Sequence, residues 1–277
     1  LDPDEKFDPF PLFLAMEAAA PDIAARGGRQ HLLLCGQFRN PKWREVFEQG
    51  AARLMPSVGY HEIDGGDPDL RTATLSAADI FVFPIDNVQE TFGLAPVEAM
   101  AAGLPVIVSD WDGLKQTVSP DTGIRVPTEM PGKSLTTYLS QRYLGGTDGY
   151  LHYVGQLAAL TRIDVAALTR ALVTLGTDPE LRRRMGKAGQ ARARALYDWS
   201  VVIPQMQALW AEQSAMLAHA RQTGGRPVQP RNAAGLPVGP SPEVMFKAYP
   251  TAPAPDLLAR RLAATDPGLR PDIAETF

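Results

Sequence analysis

The sequence predicts an α/β chain built on a Rossmann-like, doubly wound parallel sheet, and three observations carry that expectation. Short apolar runs rich in β-forming residues recur at 31–35, 58–63, 79–83, 106–108 and 122–127, with the length and texture of strands buried on both faces. Stretches with helical spacing of apolar residues alternate with these runs, and strand–helix–strand order favours crossover connections and parallel pairing. Glycine, proline, asparagine and aspartate gather at the junctions, where helices must start and stop.

Composition narrows the function classes. A length of 277 residues suits one or two domains, and 45% hydrophobic with 21% charged residues describes an ordinary globular chain. A net charge of −4 argues against a nucleic-acid partner. The single cysteine, Cys35, has no internal disulfide partner, sits in a strand-like run and fits a reducing compartment. The acidic, proline-containing first residues do not resemble a signal peptide, and no run of about 18 apolar residues occurs. A soluble, cytoplasmic chain is the expectation.

In chain order, residues 10–25 read as an amphipathic helix with Leu12, Phe13, Met16, Ala19 and Ala20 on its apolar side, ended by Gly27 and Gly28. The strand 31–35 follows and leads to Gly36 and Gln37. Asn40 or Pro41 opens a helix over 42–55, a strand spans 58–63, and a glycine-bearing turn leads into a helix over 69–76. The central unit, 79–112, reads as strand, loop, helix, strand. Pro84 ends the first strand, the loop reaches Gly93, the helix runs through Ala102, and Gly103 with Leu104 and Pro105 stops it before the next strand. The loop therefore lies at the carboxyl end of a strand, where open α/β sheets bind ligands.

Two carboxylates bracket that loop and helix, Glu90 and Glu98. Between them the amides of Phe92, Gly93 and Leu94 fall where a helix N-terminus leaves donors unpaired, a position worth about 0.3–1 kcal/mol to an anion. The absence of a side chain at Gly93 would let a phosphate come close. Carboxylates on both sides of an anion site suit a ligand with hydroxyls on both sides of a phosphate, and a sugar nucleotide has that layout.

The string Ser76-Ala77-Ala78-Asp79 through Pro84, Glu90-Thr91-Phe92-Gly93 and Glu98-Ala99-Met100-Ala101-Ala102-Gly103-Leu104-Pro105-Val106 resembles glycosyltransferase family 4, the retaining enzymes of GT-B fold. The resemblance spans residues 1–210. It implies that this chain is the carboxyl-terminal, donor-binding half of a GT-B enzyme that moves a hexosyl group from a nucleotide sugar to a glycan, lipid or other acceptor. Glu90 would contact the hexose hydroxyls as a catalytic residue, and Glu98 the ribose hydroxyls. Thr91, Phe92, Gly93 and Leu94 would line the donor between them. Lys6 matches a family lysine that, with an arginine expected upstream of Leu1, neutralises the diphosphate in place of a metal. No cofactor is implied beyond the donor itself. The amino-terminal acceptor domain would lie outside these residues.

The chain departs from the family pattern at Gly36-Gln37, where a glycine-rich loop is usual, and at Lys115-Gln116, where a glutamate is usual. Asp110-x-Asp112 invites a metal reading, since hard cations want carboxylate oxygens. It follows a strand with no third acidic ligand nearby, so a turn and helix cap is the expectation. Two other functions stay open: a non-catalytic sugar-nucleotide-binding or scaffold module, and another GT-B enzyme such as a sugar-nucleotide epimerase.

Beyond the strand 122–127, residues 128–162 form an insert with Tyr138, Tyr143, Tyr150 and Tyr153, expected to pack its own aromatics on the surface. Asp164 caps a helix over 165–176, and Asp178-Pro179 starts another over 180–197. The latter carries Arg182, Arg183, Arg184, Lys187, Arg192 and Arg194, a solvated face or, alternatively, one drawn to an anionic membrane at the inner membrane surface. A last helix over 201–220 has an apolar load that the resemblance assigns to a crossover onto the amino-terminal domain. Residues 1–220 thus read as a sugar-nucleotide-binding domain. Ten of the 25 prolines fall in 222–277, an extended tail that Val244, Met245, Phe246 and Tyr249 would anchor, with a short helix over 256–264.

Overall fold

The computed structural model describes residues 1, 3, 6, 8–224 and 246–253. The tail anchors Val244 and Met245 and the helix expected over 256–264 lie outside the described residues.

Helix α1 (Phe10–Ala24) is followed by β1 (His31–Gly36), α2 (Pro41–Leu54), β2 (Gly59–Asp64) and α3 (Pro68–Ala77). The first of their caps, Asn40, is one the sequence announces. Asn40 accepts from the N–H of Lys42 to start α2, and Asp67 accepts from Asp69 and Leu70 to start α3. Each satisfies donors that a helix start leaves open. Strand β3 (Phe81–Phe83), α4 (Leu94–Ala101), β4 (Val106–Ser109), the short α5 (Leu114–Thr117) and β5 (Gly123–Val126) complete the central unit.

Every strand pair in these two groups is parallel, in the predicted order of alternation. The ladder is divided, however: β1 pairs with β2, and β3–β4–β5 form a separate three-stranded sheet. Strand β3 has only three residues and is followed by Pro84, which offers no N–H, so its edge is too short to extend the ladder. A cleft of about 1130 Å³ lies there, lined from one side by Leu32 and Leu33 and from the other by Ile80, Phe81 and Val82. Around β4 the core is continuous, with Val106, Ile107, Val108, Trp111 and Leu114 at most 1% exposed.

The insert is ordered rather than a loop. It contains β6 (Thr128–Met130), α6 (Lys133–Leu144), α7 (Tyr150–Ala159) and β7 (Arg162–Ile163), and β6 and β7 pair antiparallel to close it. It does pack its own aromatics: Tyr143 stacks on Tyr153 at 4.9 Å. Arg142 holds Asp148 through Nε and Nη2 at 2.8 and 2.7 Å. The tail returns to this segment, where β8 (Ala252–Pro253) pairs parallel with β6.

Helix α8 (Val165–Thr177) is capped by Asp164 and α9 (Pro179–Leu196) by Asp178, both as expected from the sequence. The basic face of α9 is only partly a solvated one. Arg182 donates to the carbonyls of Leu175 and Gly176, and Arg192 donates to those of Thr117 and Gln116, tying α9 to α8 and α5. Helix α9 crosses α4 on small residues. A Cβ on Gly186 would stand 2.0 Å from the Gly103 carbonyl oxygen, so the two backbones touch. Gly186→Ala must push α9 off α4, and we expect a loss of about 1–3 kcal/mol, read as a lower urea midpoint at unchanged slope.

The last helix, α10 (Trp199–Gln222), has no buried residue. Trp199 is 73% exposed, Trp210 56% and Met216 65%, so its apolar load is unmet within the described residues. Among those residues no helix is long and apolar enough to cross a membrane.

Candidate functional site

The loop after β3 does not run over the surface. Ile85, Asp86, Asn87 and Val88 are all buried, and the chain emerges only at Gln89. Asn87 makes the turn that brings it out: its side chain accepts from the N–H of Gln89 at 2.9 Å, and its carbonyl accepts from the N–H of Glu90. Glu90 is half-buried and reaches forward, its Oε1 accepting from the N–H of Gly93 at 2.9 Å. Gly93 is the N-cap of α4 with φ +82°, in the left-handed region that favours glycine.

Two expectations change here. The Gly93 amide is already bonded to Glu90, so it is not one of the open donors at the start of α4. Leu94 and Ala95 supply the intrahelically unpaired N–H groups of the first turn, since Pro96 has none. The space over Gly93 also differs: a Cβ there would meet Leu114 Cδ2 at 2.3 Å, a side chain of the core. Glycine is therefore required at 93 for its φ and its packing on Leu114.

Glu98 is exposed on the second turn of α4 and, with Ala95, lines the cleft between the two parallel sheets. Glu90 is not among that lining. The two carboxylates are thus placed on either side of the helix start, Glu90 at its mouth and Glu98 on its flank. Thr91 is exposed. Phe92, 43% exposed, sets its ring edge-on to Tyr197 at 5.8 Å, and Leu94 is 67% exposed. Lys6 is exposed on the segment that precedes α1.

That segment is fastened to the loop by a residue the sequence reading missed. The N–H of Asp8 donates to Asp86 Oδ2 at 2.9 Å, while Asp8 Oδ1 accepts from the N–H of Phe10 at the start of α1. Asp86 is 2% exposed, and its Oδ1 is buried without a partner among the described residues. Burial pushes the Asp86 carboxyl up to about 8 and raises that of Asp8 as well. The available signal was the position: a carboxylate two residues past the strand-ending Pro84. Its burial depends on the fold of the loop and has no local pattern.

A second hollow, of about 420 Å³, lies at the carboxyl ends of β1 and β2. Gln37, Arg39, Arg44 and Asp64 line it, with Arg44 held by Glu62 at 2.7 Å and Gln37 by Asp64 at 3.1 Å. Gly36 and Gln37 form part of its wall.

Asp110 and Asp112 are spoken for. Asp110 pairs with Arg125 at 3.4 Å and accepts from Thr251 at 2.6 Å. The α5 cap position falls on Gly113, one residue beyond the pair, so the aspartates make the turn without capping the helix. Asp112 carries the only positive φ of a non-glycine among the described residues, 32°.

Comparison with known proteins shows what this geometry is similar to. Residues 12–140 match the model of the glycosyl transferases group 1. A phosphatidyl-myo-inositol mannosyltransferase of Propionibacterium freudenreichii is 28% identical over 177 residues, 64% of this chain and 36% of the relative. One of the same name from Mycobacterium leprae is 34% identical over 137 residues, 49% of this chain and 27% of the relative. A GDP-mannose-dependent monoacylated phosphatidylinositol monomannoside mannosyltransferase of Corynebacterium glutamicum is 29% identical, covering 66% of this chain and 39% of the relative. The chain thus spans between about a quarter and two fifths of the length of these relatives. Among solved structures, Anabaena HepE in complex with UDP superposes with a TM-score of 0.43 at 18% identity, over 73% of this chain and 46% of that one.

Proposed function

We propose, on the premise that residues 12–140 belong to the group 1 glycosyltransferases, that this chain is the donor-binding part of a retaining, nucleotide-sugar-dependent glycosyltransferase. The observation that carries the reading is the mouth of α4. A half-buried carboxylate, Glu90, and the open amides of Leu94 and Ala95 meet at the carboxyl end of a parallel strand. Amides and the helix dipole there suit a diphosphate, and a carboxylate beside them suits the hydroxyls of the sugar it carries.

In this reading Glu90 holds the hexose and Glu98 the ribose, with Thr91, Phe92, Gly93 and Leu94 shaping the wall between them. Lys6 and the α4 amides take up charge as the nucleoside diphosphate departs, which is electrostatic stabilisation of the leaving group. Nothing in the scheme requires a protein-bound cofactor. The names of the relatives make a mannosyl nucleotide the first donor to test and a phosphoinositide-type lipid the first acceptor, which would bring the enzyme to the inner membrane surface. The exposed apolar face of α10 supports a further domain docking there, and acceptor residues would belong to that domain.

Glu90→Gln tests the core of the proposal. A glutamine Oε1 can keep the bond from the Gly93 N–H, so the fold of the loop should survive and the melting temperature should hold. The charge-assisted bonds to sugar hydroxyls are lost, which amounts to about 1.5–3 kcal/mol, or roughly ten- to a hundredfold in affinity for GDP-mannose by calorimetry. Unchanged affinity in a protein that binds the donor would remove Glu90 from the site.

A further inference from the structure

Residues 246–253 lie across the turn that follows β4, and several of the polar groups they present are answered there. Lys115 Nζ donates to the carbonyls of Ala248 and Pro250 at 2.8 and 2.7 Å. The N–H of Asp112 donates to the Tyr249 carbonyl at 3.0 Å, and Thr251 Oγ1 donates to Asp110 Oδ2 at 2.6 Å. The ring of Tyr249 stands edge-on to the fully buried Trp111 at 5.7 Å, and β8 then joins β6. An ammonium bridging two carbonyls is a strong, directional fastening, and burial there lowers the Lys115 pKa.

The same turn is the wall on which the Glu90 loop rests. A Cβ on Gly113 would stand 2.1 Å from the Thr91 carbonyl oxygen and 3.1 Å from Phe92 Cα, so the two backbones are in direct contact. One residue on, Leu114 fills the space behind Gly93. The turn is fixed from its other sides by Arg125, which donates to the Lys115 carbonyl, and by Arg192, which donates to Gln116 and Thr117. Among the described residues, the face toward 246–253 is held by the segment most distant in sequence.

We propose that residues 246–253 are a strap that positions the candidate donor loop through the turn 110–115, with Lys115 as the positioning residue through which they act. The strap does not touch the ligand. It sets where the turn sits, and the turn sets where the backbone of Thr91 and Phe92 and the cap residue Gly93 can lie. Beside position 116, near which the resemblance expects a glutamate, this chain places Lys115, whose ammonium faces its own tail. The proposal rests on the donor-site reading above for its functional consequence, though not for its structural one.

The test uses the whole 277-residue chain as wild type, Lys115→Ala, Lys115→Arg and Thr251→Val. Amide hydrogen exchange is followed in peptides covering 90–95, 110–118 and 246–253, and GDP-mannose binding is measured by calorimetry. Lys115→Ala should speed exchange in all three segments. It should also weaken the donor roughly tenfold, the factor that one lost charge-assisted hydrogen bond represents. Lys115→Arg, which can still bridge two carbonyls, should restore both readouts, and Thr251→Val should reproduce a milder form of the loss from the other end of the strap. Faster exchange at 246–253 with 90–95 unchanged, in either variant, would overturn the proposal. If wild type binds neither GDP-mannose nor UDP-glucose, the donor reading falls, and the exchange at 90–95 still decides for or against the strap.

Discussion

Asp86→Asn is expected to flatten the pH dependence of stability between about pH 4 and pH 8 and to make the protein more stable than wild type at the upper end. The Asp86 carboxyl has a folded-state pKa pushed up to about 8 from an ordinary 3.8, with burial as the largest cause. For an acid displaced in this direction, the folded chain keeps its proton where the unfolded chain has lost it. Its contribution is fully present below the unfolded value and declines as pH rises, by about 1.4 kcal/mol per pH unit, until the folded group also ionises near 8. Asparagine carries no such proton. Its side-chain oxygen can take the place of Oδ2 and keep the bond from the Asp8 N–H, and its amide nitrogen replaces Oδ1, which has no partner among the described residues. The cost of one orphaned polar atom is therefore exchanged for another of similar size, about 1–3 kcal/mol. Asp8 faces Asp86 and is itself raised by burial, so a shallower slope should remain in the variant. Chemical denaturation at pH 5 and pH 8 decides it: a wild-type slope surviving in Asp86→Asn would show that Asp86 is not the group that titrates. The position explains why a carboxyl is tolerated there. Asp86 ties the segment carrying Lys6 to the loop carrying Glu90, and it does so through a backbone N–H that any acceptor of that shape would satisfy.

What the sequence revealed and what it withheld divide along a physical line. Local signals were dependable. Asn40, Asp164 and Asp178 cap helices where their position before an apolar periodic run says they should, and the elements of the central unit fall within a residue or two of expectation. Capping and side-chain periodicity are decided by neighbours three or four residues away, so one sequence carries them. The Glu90–Gly93 string was legible as a candidate site because its motif, too, is contiguous in sequence. Long-range partners were not. Nothing near Asp110 indicates that Thr251, 141 residues later, is its hydrogen-bond donor, nor that Lys115 faces Ala248 and Pro250. The gap between β1 and β3 is another such case, since each run looks like a central strand, and only the three-residue length of β3 shows that its edge goes unused. The aromatic packing expected of 128–162 is met by the Tyr143–Tyr153 stack, but its order was obscured because the β6–β7 pairing that closes it joins residues over 30 apart.

Gly93→Ala should cost about 2–5 kcal/mol, and the way that cost divides tests why a glycine stands at the mouth of α4. Two penalties add. An alanine held at φ +82° carries about 1–2 kcal/mol of left-handed strain. Its Cβ would also sit 2.3 Å from Leu114 Cδ2, an overpacking of about 1–3 kcal/mol unless that side chain moves. Leu114 is 1% exposed and has little room to yield. The double variant Gly93→Ala/Leu114→Ala separates the two. Leu114→Ala alone leaves a cavity costing about 2–5 kcal/mol, and an alanine at 93 would partly fill it, so the pair should be less destabilising than the sum of the singles. The shortfall measures the steric share, and what remains is backbone strain that no repacking can relieve. A glycine kept solely to admit a phosphate would behave otherwise: its alanine variant would unfold like wild type and lose donor affinity alone. In the geometry found here the order is reversed. Stability falls first, and affinity follows because Glu90 Oε1 loses the N–H around which the loop is built.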